Sequence, residues 1–380
     1  MIYLDNAATT LYKPEPVRKA VYEAMGTMGN SGRGAWGPAL SAARLVYAVR
    51  EKAAEFFGAW GGESVAFTGN ATEALNIVIS GLVKKGDHVI TTQAEHNSVL
   101  RPLYRKEKEG AELTILPVDQ KGNFFLEEME KAVRENTRAV ICTHASNVTG
   151  NLYPAEQIGK LCRRHGLLFI LDAAQSAGEA PIDMRKMYID VLCFTGHKGL
   201  MGPQGTGGIC VDPQVKIPAF KVGGSGILSF DREHPGCMPE ALEAGTLNIH
   251  GLAGLEAAFD YLQDTGLEKI MEYENRLAEI FYEKIRKIPG VEVYGDFSLP
   301  GRTAVVSLNV AGFTSKEAGD LLAQRYEIAT RAGVHCAPLI HQALGTMERG
   351  TLRFSFSRFN TEEEIHRAAL AVKEIAGERE

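Results

Sequence analysis

Two apolar runs in this chain stop abruptly at residues able to do chemistry. Leu167-Leu-Phe-Ile-Leu ends at Asp172-Ala-Ala-Gln175, and Val191-Leu-Cys-Phe ends at Thr195-Gly-His197-Lys198. If both runs are buried strands of one sheet, a carboxylate and an amine meet at the same sheet edge. That pairing suits pyridoxal phosphate, which needs a lysine for its Schiff base and an acid to keep its pyridine nitrogen protonated. Either residue alone reads more simply as an ordinary strand end. The pair, with Gln175 and His197 beside it, favours the cofactor.

Other candidates fall at similar junctions. In Thr68-Gly-Asn-Ala71-Thr72-Glu73 a strand passes into a helix through small residues, where free N–H groups and the helix dipole can take a phosphate. Plain capping by Asn70 or Thr72 explains it equally well. His96, in Gln93-Ala-Glu-His96-Asn97, can stack on a flat ring and shuttle protons, although a lone histidine is more often structural. Asn147, in Ser146-Asn147-Val-Thr-Gly150, is either a donor to a cofactor hydroxyl or a turn former. Gly202-Pro-Gln-Gly205-Thr-Gly207-Gly208 imitates a dinucleotide fingerprint but runs into a strand instead of opening a helix, so it reads as a backbone turn.

These residues need a frame. Seven short apolar runs between residues 64 and 211 alternate with helical patterns at 72–83, 98–109, 126–134 and 155–165, which predicts a mainly parallel sheet covered by helices on both faces. The last runs are closer together, which predicts an antiparallel strand there. After about residue 255 the pattern changes to helices at 267–288 and 316–325, strands at 291–294, 304–310 and 351–356, and a capping box at Thr361–Glu364. The expected organisation is a large α/β domain over 15–255, a small α+β domain over 256–380, and residues 1–14 packing across both. A length of 380 residues suits two domains.

Composition excludes other classes. A net charge of −6 without a basic run argues against nucleic-acid binding. No apolar segment is long enough for a membrane span, and Met1-Ile-Tyr-Leu-Asp lacks the basic and apolar regions of a signal peptide. The six cysteines show neither a C-x-x-C pair nor zinc-like spacing, so no metal is expected. A cytoplasmic, reduced, soluble protein is expected.

Together the motifs resemble a known family. Tyr3-Leu-Asp-Asn-Ala-Ala-Thr-Thr10, Asn30-Ser-Gly-Arg33-Gly, Ala71-Thr72-Glu73, Ala94-Glu-His96-Asn97, Ser146-Asn147-Val-Thr-Gly150, Asp172-Ala-Ala-Gln175, Thr195-Gly-His197-Lys198, Glu243-Ala-Gly-Thr246-Leu-Asn248 and Arg331-Ala-Gly-Val-His335-Cys336 occur in the order found in cysteine desulfurases. These are fold-type I pyridoxal-phosphate enzymes of the class V aminotransferase group. The Arg-x-Gly-x-His-Cys-Ala form is closest to the second group of desulfurases, which includes selenocysteine lyases. Four positions differ from the commoner pattern: Ala332 and Val334 within the cysteine motif, Thr195 for serine, and Trp36 where a histidine is more usual.

The resemblance implies that Lys198 holds pyridoxal phosphate, Asp172 pairs with its ring nitrogen and His96 stacks on the ring. It implies that Gln175 and Asn147 reach the ring hydroxyl or its neighbourhood. Ala71, Thr72, Thr195 and His197 would cradle the phosphate, and Thr246 would reach the phosphate held by a partner subunit, which requires a homodimer. Arg353 matches the arginine that grips the substrate carboxylate, a task suited to a bidentate guanidinium, with Arg358 as a nearby competitor. Cys336 matches the nucleophile, and its setting beside histidine and arginine favours a thiolate. The implied reaction converts L-cysteine to L-alanine, with the sulfur kept on Cys336 as a persulfide and passed to an acceptor protein for sulfur metabolism such as iron–sulfur cluster assembly. The alternatives are a selenocysteine lyase, another class V aminotransferase or lyase, or a cofactor-binding scaffold without turnover.

Overall fold

A computed structural model describes residues 1–32, 36–299 and 301–378. Arg33 and Gly34 of the Asn30-Ser-Gly-Arg33-Gly motif lie outside the described residues. The seven apolar runs form one seven-stranded sheet. Its spatial order is Val65–Thr68, Gly207–Val211, Val191–Thr195, Leu168–Asp172, Thr137–Thr143, His88–Thr92 and Glu112–Leu116. Gly207–Val211 is antiparallel to both neighbours and the other pairings are parallel, as the close spacing of the last runs predicts.

The topology brings the chemistry-bearing strand ends together. Thr143 is in register with Asp172, and Asp172 with Cys193. Thr68 and Thr195 both stand opposite Gly207 on the intervening antiparallel strand. The turns after residues 68, 92, 143, 172 and 195 therefore open on one edge, where ligands sit in such sheets. The glycine-rich turn makes this closeness possible. A Cβ at Gly207 would lie 2.7 Å from the Phe194 carbonyl oxygen and 2.9 Å from Asn70 Cα, and one at Gly208 would lie 2.6 Å from the Phe194 ring.

Helices Ala71–Leu82, Asn97–Lys108 and Ala155–His165 cover the sheet near the predicted limits, whereas the helix predicted over 126–134 stops at Lys131 and the one predicted over 267–288 stops at Ile285. Three further helices, Glu15–Thr27, Gly37–Phe56 and Ile249–Thr265, pack on one another beside the sheet. Ile249–Thr265 buries nine residues, and an apolar surface this broad leaves little helical period to read. Residue 255 falls inside this helix, and Phe259 and Leu262 beyond it still belong to the core around the sheet.

A second core gathers Leu277, Phe281, Val306, Leu308, Phe354 and Ile365 around a four-stranded antiparallel sheet, with Ile2 and Leu4 built into it. The N-terminal strand Ile2–Tyr3 pairs with Ile328–Ala329. Asn6 then donates to the Ser355 carbonyl, and the Ala7 carbonyl accepts from Gln175 Nε2. The first residues thus touch both cores. Among the described residues no helix is long and apolar enough to cross a membrane.

Candidate active site

The largest concentration of predicted site residues lines one cavity at the sheet edge: Ala71, Thr72, His96, Asn147, Asp172, Gln175, Thr195, His197 and Lys198. Asn70, Ser98, Thr143, Ala145 and Ala174 complete its wall. Nine of the residues named from sequence therefore meet, and Cys336, Arg353 and Thr246 stand outside this wall.

Asp172 ends its strand 2 % exposed, and its Oδ1 accepts the Ala174 N–H at 2.9 Å. Burial pushes this carboxyl up, while the Ala174 N–H and the Lys198 ammonium oppose that rise. Lys198 is lowered to about 8, chiefly by burial, with Asp172 opposing and Arg353 assisting. A lysine near 8 supplies far more neutral amine at physiological pH than an exposed one, whose ordinary value is about 10.4.

The helix start does two jobs. Asn70 caps helix Ala71–Leu82 by accepting the Glu73 N–H at 3.0 Å, so the capping reading holds. The N–H groups of Ala71 and Thr72 have no acceptor among the described residues and remain available to an anion. Thr72 Oγ1 lies 2.7 Å from Ser98 Oγ, and Ser98 Oγ lies 2.8 Å from His96 Nδ1. Ser98 also donates its N–H to His96 Nδ1 at 3.1 Å, which makes His96 the cap of helix Asn97–Lys108. His96 is lowered to about 4, first by burial and then by Lys198, Arg353, Arg101 and Arg331, so the ring is neutral with its proton on Nε2. Ser98 was not singled out in the sequence. Its position two residues after a histidine that caps a helix was the available signal.

The cavity's polar atoms fit pyridoxal phosphate. Gln175 donates Nε2 to the Ala7 carbonyl at 3.0 Å, and its Oε1 is buried with no partner. An acceptor left bare in this way suits a hydroxyl donor. Asp172 supplies the acid, Lys198 the amine, and the Ala71–Thr72 turn the free N–H groups. His197, neutral with its value lowered to about 4 by burial, contacts Thr9 Oγ1 through Nδ1 at 3.1 Å. Thr195, 2 % exposed, has its hydroxyl 3.4 Å from the Thr206 carbonyl.

Asn147 faces the cavity but spends its Nδ2 on the His335 carbonyl at 2.7 Å. It thereby ties the cavity to the turn that carries Cys336. Arg331–Gly333 is a short edge strand paired with Thr351–Ser355, and the turn after it holds His335 and Cys336 at φ +49° and +57°. Two adjacent non-glycine residues in the left-handed region cost about 1–2 kcal/mol each. The turn is held by Asn147, by the Asn97 N–H to the Cys336 carbonyl at 2.7 Å, and by the Ala337 N–H to the Val334 carbonyl. Cys336 is exposed, whereas Cys142, Cys162, Cys193 and Cys210 are buried with thiols raised by burial. Cys237 is exposed as well.

One expectation is corrected. His335 does not sit as a cation beside the thiol. Its ring is buried, its Nε2 lies 3.0 Å from the Thr351 carbonyl, and burial and nearby Arg353 lower it well below the usual histidine range. Of the predicted pair, only the exposed Arg331 can bring positive charge to this motif.

Arg353 is 2 % exposed, with Nη2 on Asp5 Oδ1 at 2.9 Å, Nη1 on the Asn147 carbonyl at 3.0 Å, and Nε without a partner. It stands opposite Arg331 in the strand register. Arg358, the competitor, instead lies over Tyr261 and Phe359. Asp5, the anion that holds Arg353, was present in a quoted motif but carried no assigned role. Thr246 lines a separate open groove with Asn30, Tyr47, Arg50 and Glu243.

Known proteins share this arrangement of the chain. Residues 2–368 match the family described as aminotransferase class-V. A protein of Methanothermobacter thermautotrophicus named "Probable cysteine desulfurase" is 36% identical, the match covering 99% of this chain and 95% of that protein. The apo structure of a cysteine desulfurase from Thermococcus onnurineus NA1 superposes with a TM-score of 0.88 at 33% identity, covering 99% of this chain and 95% of the other. A cysteine desulfurase from Escherichia coli gives 0.88 at 29% identity, covering 99% and 94%. The chain belongs to the class-V aminotransferase family, within its cysteine desulfurases.

Proposed function

We propose that this chain is a pyridoxal-phosphate-dependent cysteine desulfurase that converts L-cysteine to L-alanine and holds the released sulfur on Cys336. The observation that carries the reading is the convergence of Lys198, Asp172, His96 and the bare Gln175 Oε1 in one cavity, with an exposed cysteine turn tied to its wall through Asn147 and to the helix His96 caps. Pyridoxal phosphate supplies, when bound, an electron sink at the substrate Cα. The Ala71 and Thr72 N–H groups, Thr195 and His197 would hold its phosphate, Asp172 its ring nitrogen, and Gln175 and Asn147 the neighbourhood of its hydroxyl.

The protein's own groups divide the remaining work. The Lys198 amine takes the Cα proton, a role open to it because its midpoint of about 8 leaves a useful neutral fraction. Neutral His96 keeps its proton on Nε2 and would hold the cofactor's ring against its own face. Arg353, fixed by Asp5, anchors the substrate carboxylate with Nε as its unpartnered donor. The Cys336 thiolate attacks the substrate sulfur; the Cβ–S bond breaks, Cβ gains a proton to become the methyl of alanine, and Cys336 is left as a persulfide. An acceptor protein then takes the sulfur from this exposed position. The same reading makes the protein a homodimer, because Thr246 lies outside the cavity of its own chain, in a groove beside the exposed Tyr47 and Ile227.

Alanine release from L-cysteine, measured with a thiol reductant present, tests the proposal. Wild type is expected to release alanine, and Cys336→Ala is expected to lose that release by a factor of at least about a hundred while retaining the cofactor's absorbance band. Undiminished alanine from Cys336→Ala would reject the persulfide route.

A further inference from the structure

We infer that Lys13 is a positioning residue for Lys198, setting the reactivity of its amine by clamping the peptide bond that precedes it. This rests on reading Lys198 as the reactive amine of the site. Lys13 Nζ donates to the His197 carbonyl at 2.9 Å and to Thr10 Oγ1 at 2.5 Å. The same carbonyl receives the Thr10 N–H at 3.1 Å, and the hydroxyls of Thr9 and Thr10 lie 3.2 and 3.1 Å from it. On the other side of Lys198, its own carbonyl accepts the Met201 N–H at 2.8 Å, and Thr10 Oγ1 lies 3.2 Å away. Both peptide planes around the Lys198 Cα are therefore pinned, which restricts the direction in which the side chain leaves the backbone.

Lys13 is an unusual choice for a mere tether. It is half-buried, forms no ion pair among the described residues, and burial lowers it to about 8. Burying a cation against neutral acceptors is costly, and a neutral donor could hold the same carbonyl more cheaply. What the cation adds is charge beside His197, whose ring it helps to keep neutral. Pro14 follows directly and biases Lys13 toward extended backbone. Held in a pinned, poorly hydrated position, the Lys198 amine titrates low; released from it, the amine gains water and its midpoint rises.

Competitive labelling of the full-length chain by acetic anhydride, read by peptide mass spectrometry from pH 6 to 11, measures this amine without turnover. Bound cofactor is first removed with hydroxylamine, and exposed Lys84 serves as internal reference. Lys13→Met is expected to raise the Lys198 midpoint by about one unit, slowing its labelling at pH 7 about tenfold relative to Lys84, and Lys13→Arg should recover most of the wild-type profile. A Lys198 profile in Lys13→Met identical to wild type overturns the inference. If Lys13→Met does not fold, Thr10→Val removes the hydroxyl linking Lys13 to both carbonyls; a shift in the same direction supports the clamp and an unchanged profile overturns it. An inactive chain whose Lys198 still responds to Lys13 would overturn the desulfurase reading alone.

Discussion

His96 accepts the Ser98 N–H at Nδ1, and His197 contacts Thr9 through the same ring atom. His144, 3 % exposed, has Nδ1 without a partner. Burial lowers all three to about 4, below the ordinary histidine value of about 6.5. Because the folded midpoints are depressed, any stability from keeping these rings neutral is complete above pH 6.5 and lost as pH falls through 4. At pH 6 the three imidazoles are therefore neutral in the cofactor-free chain, which 15N-resolved histidine spectra can read. An imidazolium signal from His96 at pH 6 would contradict this account of its surroundings. At this scale the sequence was informative where a residue's type already restricts its use: Lys198 and Asp172 had few other reasons to share a sheet edge. It was misleading at His335, because adjacency in sequence to Cys336 says nothing about which way the ring turns.

The elements explain why the motifs were legible as strand ends. Each parallel strand runs into a turn at one sheet edge, so the residue that stops an apolar run becomes a cavity residue. Helix Ala71–Leu82 rests on a single side-chain cap. Asn70→Ala removes the acceptor of the Glu73 N–H and is expected to cost about 1 kcal/mol. A lower urea midpoint for that variant checks the value, and a midpoint equal to wild type would show that the cap contributes nothing. Elements whose period is blurred were the least legible. Ile249–Thr265 is buried around much of its circumference, and Arg331–Gly333 is too short for alternation to register. Its pairing with Thr351–Ser355 comes from tertiary packing, and that pairing places Arg331 opposite Arg353.

Across the whole molecule, the site lies where two hydrophobic cores meet. The large core supplies the sheet edge with Lys198 and Asp172 and takes in Ala337 and Ile340 just after Cys336, while the second sheet supplies Arg353 and the strand that leads into the Cys336 turn. The first nine residues join them: Asp5 pairs with Arg353, Asn6 with Ser355, Ala7 with Gln175, and Thr9 with His197. That residues 1–14 pack across both parts was expected from the sequence, but the individual contacts of this join link residues 168 to 349 positions apart, which local pattern cannot show. A thiol carried by the turn after Arg331–Gly333 thus receives sulfur from a substrate held at the edge of the seven-stranded sheet. The most direct measurement is peptide mass spectrometry after the cofactor-loaded protein has met L-cysteine once, without reductant. One added sulfur atom is expected on the peptide containing Cys336, removable by a thiol, and none on Cys237. Sulfur on another cysteine, or alanine formed with Cys336 unmodified, would contradict it.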